Sequence, residues 1–527
     1  MANRLWRAPL IAHAGVLAAC LLGLMVLVGT NASLSEDEGA ALVQARQLAE
    51  HHTWVDPHPL PTVDPSGAFY PYRLADVGTD GPVPFGRHPL YAVVLAGLWR
   101  LGHNNAVIML SLAGTVAAAL AAAVLARRFD ERLARPALWA AGLGTPLFFD
   151  SFLAIAHTVG AALAGWLVVA VTRRAGDRPL LGVVVGAVLA GVLVMVRTEG
   201  VLFVGVAALV AFAFTEYRVA AVAAGAGGVV GFVANLAWER HIFGASVTVV
   251  SSTGGAVAQS HDLMSRARGA YTTLLRYSYP NGARANVLLL VAFVVVAVAG
   301  LLARRRRDLA AALTGVAALL VLLRALSGTA PVVPGLFVVC PVLWAAVWSG
   351  GFSWRDRAVR VFVALLVGFA AAVVATQYER GGGIEWGGRY FALGLPVAIA
   401  VAVRAFLAAP RAVVAGLAAV SLAFAALAAS ALRSTHEHTH ELLAAIPKHG
   451  LAITTAGLLP RLDWPNVDTR QWLLVEPAKV PVVLRRLRAA GVGRVAVVYP
   501  GALTPRGFAH QGKPVGGLDW RVAEVSL

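Results

Sequence analysis

The sequence is poor in charged residues and in cysteine. Charged residues make up 13% of its 527 residues and hydrophobic residues 58%, whereas soluble globular domains have about 25% charged residues. The two cysteines, Cys20 and Cys340, both lie inside apolar runs, where a thiol behaves as a small hydrophobe. This placement argues against a disulfide framework and against a cysteine metal site. The chain also lacks a Walker-type phosphate loop, so no P-loop nucleotide site is predicted.

What the sequence does contain is a series of apolar runs of about 18 to 22 residues, the length that crosses a bilayer as a helix. The mean hydropathy of the chain is +0.72. The first run follows Arg4 and Arg7 but is too long for the apolar core of a signal peptide, so it is interpreted as a transmembrane helix. About thirteen spans are predicted, near residues 8–29, 104–126, 136–150, 153–172, 179–197, 200–215, 218–238, 286–303, 309–325, 333–349, 359–376, 390–407 and 411–432.

The net charge is +17, from 44 basic and 27 acidic residues, and the positions of the basic residues indicate the membrane topology. Basic clusters fall at alternate connections between the runs, as the positive-inside rule requires of cytoplasmic loops, and this placement disfavours nucleic-acid binding. The N-terminus is therefore predicted to be cytoplasmic and, with an odd number of spans, the C-terminus extracytoplasmic. The same alternation places three long segments outside: residues 30–103, 239–285 and 433–527.

The fold class predicted from these patterns is an all-α polytopic membrane protein with a small C-terminal extracytoplasmic α/β module. The transmembrane domain is residues 1–432 and the module residues 433–527. In the tail, "LAITT", "WLLV" and "RVAVVY" are typical of strands and "KVPVVLRRLRAAG" of a helix. In the first external segment, "HPLYAVVLAGLWRLG" is too short to span and predicts an amphipathic helix in the interface.

Three consecutive acids follow the first apolar run, in "SLSEDEGAAL". A carboxylate at the outer mouth of a helix bundle, on a turn that Gly39 loosens, can act as general base toward a hydroxyl acceptor, which makes Asp37 the leading catalytic candidate. The alternative is helix capping, because acids are favoured in a first helical turn and Ser33 or Ser35 is a suitable N-cap.

Charged residues at the ends of later runs form a second set of candidates. Arg197, in "VRTEG", lies where an unpaired charge costs roughly 2.5 to 3.5 kcal/mol even on the lenient insertion scale, and its guanidinium suits a lipid phosphate. The alternative is an ion pair with Glu199. His157, near Asp150, is kept in reserve, and "HEHTHE" at residues 436–441 is interpreted as a solvated linker in preference to a metal site.

A third set lies in "QYERGGGIEWGGRYFALGLP", residues 377–396. Its glycines allow a ligand to approach the backbone closely, Trp386 and Tyr390 offer faces to a sugar or prenyl chain, and Glu385 and Arg389 supply charge. The alternative is anchoring of the aromatic residues at the membrane interface.

Taken in order, four motifs resemble the GT-C superfamily of integral-membrane glycosyltransferases, which includes protein O-mannosyltransferases, the aminoarabinose transferase of lipid A, and actinobacterial mannosyl- and arabinosyltransferases. They are "EDEG" after the first helix, "RHPLYAVVLAGLWRLG" before the second, "VRTEG" in mid-chain and "EWGGRY" before a late run. The resemblance covers residues 1–432. One departure is "HPLY", which stands where the family has a paired-proline "PPLY".

The resemblance implies an inverting transfer of a sugar from a polyprenyl-phosphate carrier to a cell-envelope lipid, glycan or protein on the outer face. Mannose or arabinose is expected if the source is actinobacterial. A divalent cation is kept as an optional cofactor, because such enzymes are metal-independent or weakly metal-dependent. A transporter or flippase of a lipid-linked sugar is the alternative function, and a catalytically inactive assembly scaffold is a third.

The resemblance also implies roles for individual residues. Asp37 would be the base, with Glu38 or Glu36 as substitutes. Arg389 and Arg197 would bind the donor phosphate. The remaining substrate-binding residues expected around the sugar are His88, Tyr91, Glu385, Trp386 and Tyr390.

Overall fold

The computed structural model describes the chain except for residues 1–8, 32, 57–59, 73–82, 86–87, 174–178, 248–261, 277–286, 327–333, 349–354, 377–385, 506–511 and 516–518. Most of the described chain is helical, and a small sheet lies near the C-terminus. The predicted fold class, a polytopic helical membrane protein with a C-terminal α/β module, is confirmed.

The α-helices of the described chain are α1 (Leu10–Val28), α2 (Glu36–Arg46), α3 (Pro89–Ala126), α4 (Ala134–Leu143), α5 (Pro146–Asp150), α6 (His157–Val171), α7 (Pro179–Val196), α8 (Glu199–Phe212), α9 (Arg218–Phe243), α10 (Leu263–Leu274), α11 (Val287–Leu302), α12 (Arg307–Leu326), α13 (Leu336–Val339), α14 (Arg357–Thr376), α15 (Leu395–Arg404), α16 (Arg411–Ala444), α17 (Leu458–Leu462) and α18 (Val480–Ala489). Short 3₁₀ helices include Pro341–Trp348 and Arg389–Gly394, and a π-helical turn, Gln47–His51, extends α2.

Seven helical segments of the described residues are long and apolar enough to cross a membrane, and α6, α7, α8 and α11 are shorter apolar helices. Large aliphatic side chains such as Val229, Val230 and Val233 of α9 face outward, where they are more than half exposed. Such a surface suits lipid, because acyl chains solvate it as well as a protein core does. The exact number of spans stays a prediction.

Small residues allow the helices to pack closely. The backbones of α7 and α9 nearly touch: a β-carbon on Gly231 would lie 2.3 Å from the carbonyl oxygen of Gly191, and one on Gly227 would lie 2.1 Å from that of Ala187. Close approach through small residues is how membrane helices associate, since burial from water does not drive them together.

Two of the predicted spans are interrupted by proline. The run at 136–150 breaks into α4 and α5 because Pro146 begins a new helix, where the Thr145 hydroxyl accepts a hydrogen bond from the Leu147 amide at 3.2 Å. The run at 333–349 breaks into α13 and the 3₁₀ helix Pro341–Trp348. Proline has no N–H to donate and its ring clashes with the preceding turn, so an α-helix does not pass through it unbroken.

Helix α3 is also broken, at Gly102 and His103, whose backbone angles are not helical. Its first part contains the "HPLY" segment and its second part begins at the predicted start of the second span. Pro89 occupies the first turn, where its missing N–H leaves no bond unmade. His88, immediately before it, has a φ of 53°.

The C-terminal module is a five-stranded sheet with the order β2-β1-β3-β5-β4. Its strands are β1 (Gly450–Thr454), β2 (Arg470–Leu474), β3 (Arg494–Pro500), β4 (Lys513–Val515) and β5 (Trp520–Ser526). Strand β1 pairs in parallel with β2 and β3, while β5 pairs antiparallel with β3 and β4. The three predicted strands and the helix α18 are present, and β4 and β5 were not predicted.

Helix α16 gives the "HEHTHE" segment a regular structure. The segment is the last part of this helix, which passes through the predicted domain boundary at residue 432 and connects the bundle to the module. His436, Glu437 and His440 have the His-Glu-x-x-His spacing of helical zinc sites. His436 is buried, however, and its Nδ1 donates to the Val28 carbonyl at 3.1 Å, whereas His440 is exposed.

We predict that Gly231→Ala lowers the melting temperature of the detergent-solubilised protein, because the new methyl group would force α9 away from α7. An alanine for glycine exchange in an open helix normally stabilises by about 0.5 to 1 kcal/mol, so the expected sign is reversed here. The control is Gly205→Ala in α8, where a β-carbon would meet nothing within 4 Å. A higher melting temperature for Gly231→Ala would contradict the close packing.

Candidate functional site

The acidic "EDEG" motif forms the first turn of α2. The Ser35 hydroxyl accepts a hydrogen bond from the Glu38 amide at 3.3 Å, which makes Ser35 the N-cap that the capping interpretation required. Capping and a functional role for the acids are compatible, because the cap uses Ser35 and leaves the Asp37 carboxylate to face a cavity. Gly39 lies within the helix and not in a loosened turn.

Glu38 is fully buried and contacts backbone groups. Its Oε1 accepts a hydrogen bond from the Ala154 amide at 2.8 Å and its Oε2 one from the Leu34 amide at 2.7 Å. Burial raises the pKa of this carboxyl from its usual 4.5 to about 7, although the backbone hydrogen bonds act in the opposite direction. Glu38 does not line the cavity. Its contacts instead join α2 to the chain that follows α5.

Asp37 forms an ion pair with Arg389, whose Nη1 lies 3.1 Å from Oδ2 of Asp37. The two residues are 352 positions apart in the sequence and both line the cavity. The Arg389 guanidinium also lies over the ring of Tyr390, 5.3 Å from its centroid, a cation–π contact. The structure therefore places an acidic and a basic candidate in one site.

Two glycines shape the "WGGR" turn that carries Arg389. Gly387 and Gly388 have φ of 77° and 70°, a region that favours glycine. A β-carbon on Gly387 would lie 2.2 Å from Cγ of Pro146, so only glycine fits against α5. Trp386, just before the turn, stacks on Phe149 of α5 with ring centroids 5.2 Å apart. Glu385 lies outside the described residues.

Arg197 lies on the same cavity and forms the predicted ion pair, with its Nη2 2.9 Å from Oε2 of Glu199. Thr198, between them, exchanges a hydrogen bond with Nε2 of His88 at 3.2 Å. His88 and Tyr91, at the start of α3, also line the cavity. The pair with Glu199 satisfies the charge of Arg197 without removing it from the site.

Asp150 and His157 are a further pair that the sequence analysis did not place in the site. Nδ1 of His157 lies 3.2 Å from Oδ2 of Asp150, both side chains are buried, and both line the cavity. The signal that could have identified them is the break at Pro146. A helix that ends at Asp150 and a new one that begins at His157 bring both residues to one end of the bundle.

The cavity has a volume of about 110 Å³ and lies between α2, α5, α6, α8, the start of α3 and the "WGGR" turn. It gathers seven of the ten residues to which the sequence resemblance assigns a role: Asp37, His88, Tyr91, Arg197, Trp386, Arg389 and Tyr390. Both signs of charge and several aromatic side chains are thus combined in one concave site, a combination suited to a ligand with charged and apolar parts.

The cavity residues do not form a compact set of metal ligands. Among the described residues, the group of three side chains close enough to hold an ion is Glu50, His51 and Asp468, which are exposed and lie outside the cavity. Arg46 already pairs with both Glu50 and Asp468, so these two carboxylates have a cationic partner within the protein.

No family model matches the chain, and no curated protein is significantly similar to it. Among solved structures, the Archaeoglobus fulgidus oligosaccharyltransferase tethered to an acceptor peptide with an NVT sequon is 12% identical, over 92% of this chain and 68% of that chain, with a TM-score of 0.46. Its apo form is 11% identical, with 92% and 69% covered and a TM-score of 0.45.

The apo structure of ArnT from Cupriavidus metallidurans is 15% identical, over 97% of both chains, with a TM-score of 0.43. These likenesses concern the overall fold alone, and they assign no activity to this chain.

We predict that Glu38→Gln removes a pH dependence of stability. In the folded protein Glu38 holds its proton up to about pH 7, whereas in the unfolded chain it releases the proton near pH 4.5. Raising the pH across this interval therefore favours unfolding. The contribution of Glu38 to the free energy of unfolding falls as the pH rises to about 7. Glutamine keeps the size and carries no titratable proton.

The measurement is the melting temperature of wild type and Glu38→Gln from pH 4.5 to 8. The difference, wild type minus variant, should decrease as the pH rises to about 7 and then level off. Parallel curves for the two proteins would show that Glu38 does not titrate in this range.

Proposed function

We propose that the protein is a glycosyltransferase that moves a sugar from a polyprenyl-phosphate carrier to a hydroxyl acceptor of the cell envelope. The observation that carries the proposal is the Asp37–Arg389 pair in a cavity of a membrane-embedded bundle, since these two groups are what transfer from a phosphate donor requires. A carboxylate can take the acceptor proton and a guanidinium can hold the departing phosphate.

In the proposed complex the donor phosphate takes over the Arg389 guanidinium. While Arg389 is paired with Asp37, the negative charge of the carboxylate is compensated. The donor phosphodiester carries one negative charge, as the carboxylate does, but it forms bidentate bonds with the planar fork and gains further negative charge as the sugar departs, so it competes for the arginine during transfer. The exchange frees Asp37 to accept a proton. Arg197, held by Glu199 at the same cavity, supplies a second positive charge for the phosphate.

The reaction then proceeds as a single displacement. The acceptor oxygen attacks the anomeric carbon of the sugar, its proton passes to Asp37, and the bond between the anomeric carbon and the phosphate oxygen breaks. The electron pair of that bond leaves on the lipid phosphate, and the configuration of the sugar is inverted. Trp386, Tyr390 and Tyr91 supply apolar faces for the sugar ring, and no step uses a cation.

The Asp150–His157 pair is assigned an orienting role in this proposal. Because both side chains are buried and bonded to each other, they form a fixed polar wall next to the charged residues of the cavity. A preorganised wall holds sugar hydroxyls in one orientation without reorganising during transfer. Mannose and arabinose are the sugars proposed for the site.

The site is proposed to open on the extracytoplasmic side, with the C-terminal module on the same side. We predict that Arg488→Cys, exposed on α18, reacts with a membrane-impermeant maleimide in intact cells, and that Arg305→Cys reacts only after permeabilisation. The background replaces Cys20 and Cys340 by serine. The opposite labelling pattern would reverse the proposed orientation.

We predict that Asp37→Asn abolishes sugar transfer in membranes supplied with radiolabelled polyprenyl-phosphate mannose or arabinose and an envelope extract. Loss of a general base lowers the rate by about 10²- to 10⁴-fold. The matched control is Asp308→Asn, an exposed residue in the first turn of α12, which should transfer label at the wild-type rate.

Two outcomes would contradict the proposal. Transfer by Asp37→Asn at the wild-type rate would exclude the carboxylate as base. If neither protein transfers label but both move the lipid-linked sugar between leaflets, the chain is a transporter of that intermediate and its cavity is a transport site.

A further inference from the structure

The C-terminal module contacts the first turn of α2, the turn that carries Asp37. Nη1 of Arg461, on α17 of the module, lies 2.5 Å from Oε2 of Glu36. The carbonyl of the same Arg461 lies against Gly39, where an added β-carbon would come within 2.0 Å of its oxygen. One residue of the module therefore contacts α2 on both sides of Asp37 in the sequence.

This contact is part of a wider interface between the module and the first external segment. The Leu474 amide at the edge of the sheet donates to the carbonyl of Phe69 at 2.8 Å, and the Tyr72 hydroxyl donates to the carbonyl of Pro460 at 3.3 Å. Trp464 packs edge-on against Trp99, with ring centroids 5.5 Å apart. Arg46, at the end of α2, pairs with Asp468 of the module. Both ends of α2 are thus attached to the module.

Arg461 differs from an ordinary surface partner of an acid. Its side chain is 8% exposed, whereas that of Glu36 is 51% exposed. Exposed ion pairs contribute little because water compensates each charge, but a buried guanidinium that loses its carboxylate is left without that compensation. The position of Glu36, and with it the rotation of α2, is therefore coupled to a residue that cannot move freely.

The rotation of α2 determines where the Asp37 carboxylate lies. Glu36 and Asp37 are neighbours on a helix, so their side chains point about 100° apart and a turn of the helix that moves one moves the other. We propose that Arg461 is a positioning residue, through which the C-terminal module sets the placement of Asp37 in the cavity. This inference rests on the proposed transferase function and goes beyond it, because it makes the module part of the site.

The test is a double-mutant cycle on Glu36→Gln and Arg461→Gln in the sugar-transfer assay. Each single variant should lower kcat about tenfold, since a displacement of the base by about 1 Å costs up to 10²-fold. KM for polyprenyl-phosphate mannose should stay within about twofold, because neither residue touches the donor. The double variant should be no slower than Arg461→Gln alone, because both changes remove one contact.

Arg461→Lys separates positioning from folding. It keeps the charge and should recover most of the activity if the contact with Glu36 is what matters. The matched control is Arg488→Gln, an exposed arginine of the same module, which should leave kcat unchanged. A wild-type kcat for Arg461→Gln, or losses that multiply in the double variant, would overturn the proposal.

Gly39→Ala tests the second contact from the other side. Its methyl group would meet the backbone of Arg461, so the module and α2 must separate and kcat should fall. The control is Gly97→Ala in α3, where a β-carbon would meet nothing within 4 Å. Equal activity of Gly39→Ala and Gly97→Ala would contradict the close contact.

A readout that does not need activity distinguishes failure of this inference from failure of the proposed function. In the background without native cysteines, Asp37→Cys and Arg389→Cys should form a cross-link with a short bis-thiol reagent, because the native pair joins these two positions across the length of an arginine side chain, which is too long for a direct disulfide. Adding Arg461→Gln should slow its formation severalfold, whether or not the protein transfers sugar. An unchanged rate would show that Arg461 does not position residue 37.

Discussion

The structure of the site depends on how one helical turn is held. Residues 36 to 39 make contacts in different directions, as successive positions of a helix must. Glu36 pairs with Arg461, Asp37 with Arg389, Glu38 with the Ala154 amide, and Gly39 allows the Arg461 backbone to approach. Helix α17 of the module, the "WGGR" turn and the chain after α5 are therefore brought together around a single turn, and each of the three acids of the motif has a different contact.

Among the described residues, the acidic and basic side chains that line the cavity each have a polar partner within the protein. Arg197 pairs with Glu199 and Asp37 with Arg389, whereas Asp150 has a hydrogen-bond partner in His157. An isolated charge away from water would be strongly unfavourable, so the sequence carries its acids and bases in sets that meet in the fold. Because of this pairing, any anion that enters the cavity must exchange partners with groups that are already satisfied.

Much of this arrangement could be predicted from the sequence, for reasons that particular elements make clear. Strands β1 to β3 were identifiable because each is a short run rich in β-branched and apolar residues between polar or turn-forming residues. Asp37, Arg197 and Arg389 were identifiable because charge is rare in this chain and its positions beside apolar runs are conspicuous. Their meeting in one cavity was not predictable, since it depends on the packing of helices that are distant in sequence.

Other features were missed. Pro146 and Pro341 mark the breaks that produce α5 and the 3₁₀ helix 341–348, but the spans were predicted from apolar composition alone and the prolines were not weighed against it. Local patterns do not encode the remaining features. Glu38 and Asp37 are adjacent and chemically alike, and only their rotation about α2 makes one a buried anchor and the other a cavity residue. Gly39 was interpreted as a loosened turn because the sequence does not record that another backbone lies against it.

Helix α16 has a consequence of its own. It runs without a break for 34 residues, about 50 Å at 1.5 Å per residue, from the membrane bundle to the start of the sheet. A continuous helix sets both the distance of the module from the bundle and its rotation about the helix axis. One residue inserted near the end of α16 would move the module by about 1.5 Å and rotate it by about 100°. Seven inserted residues would add nearly two whole turns, so the module would face almost the same direction as before. The length of this helix is therefore a constraint that tolerates change only in steps close to whole turns, unlike a loop of the same length.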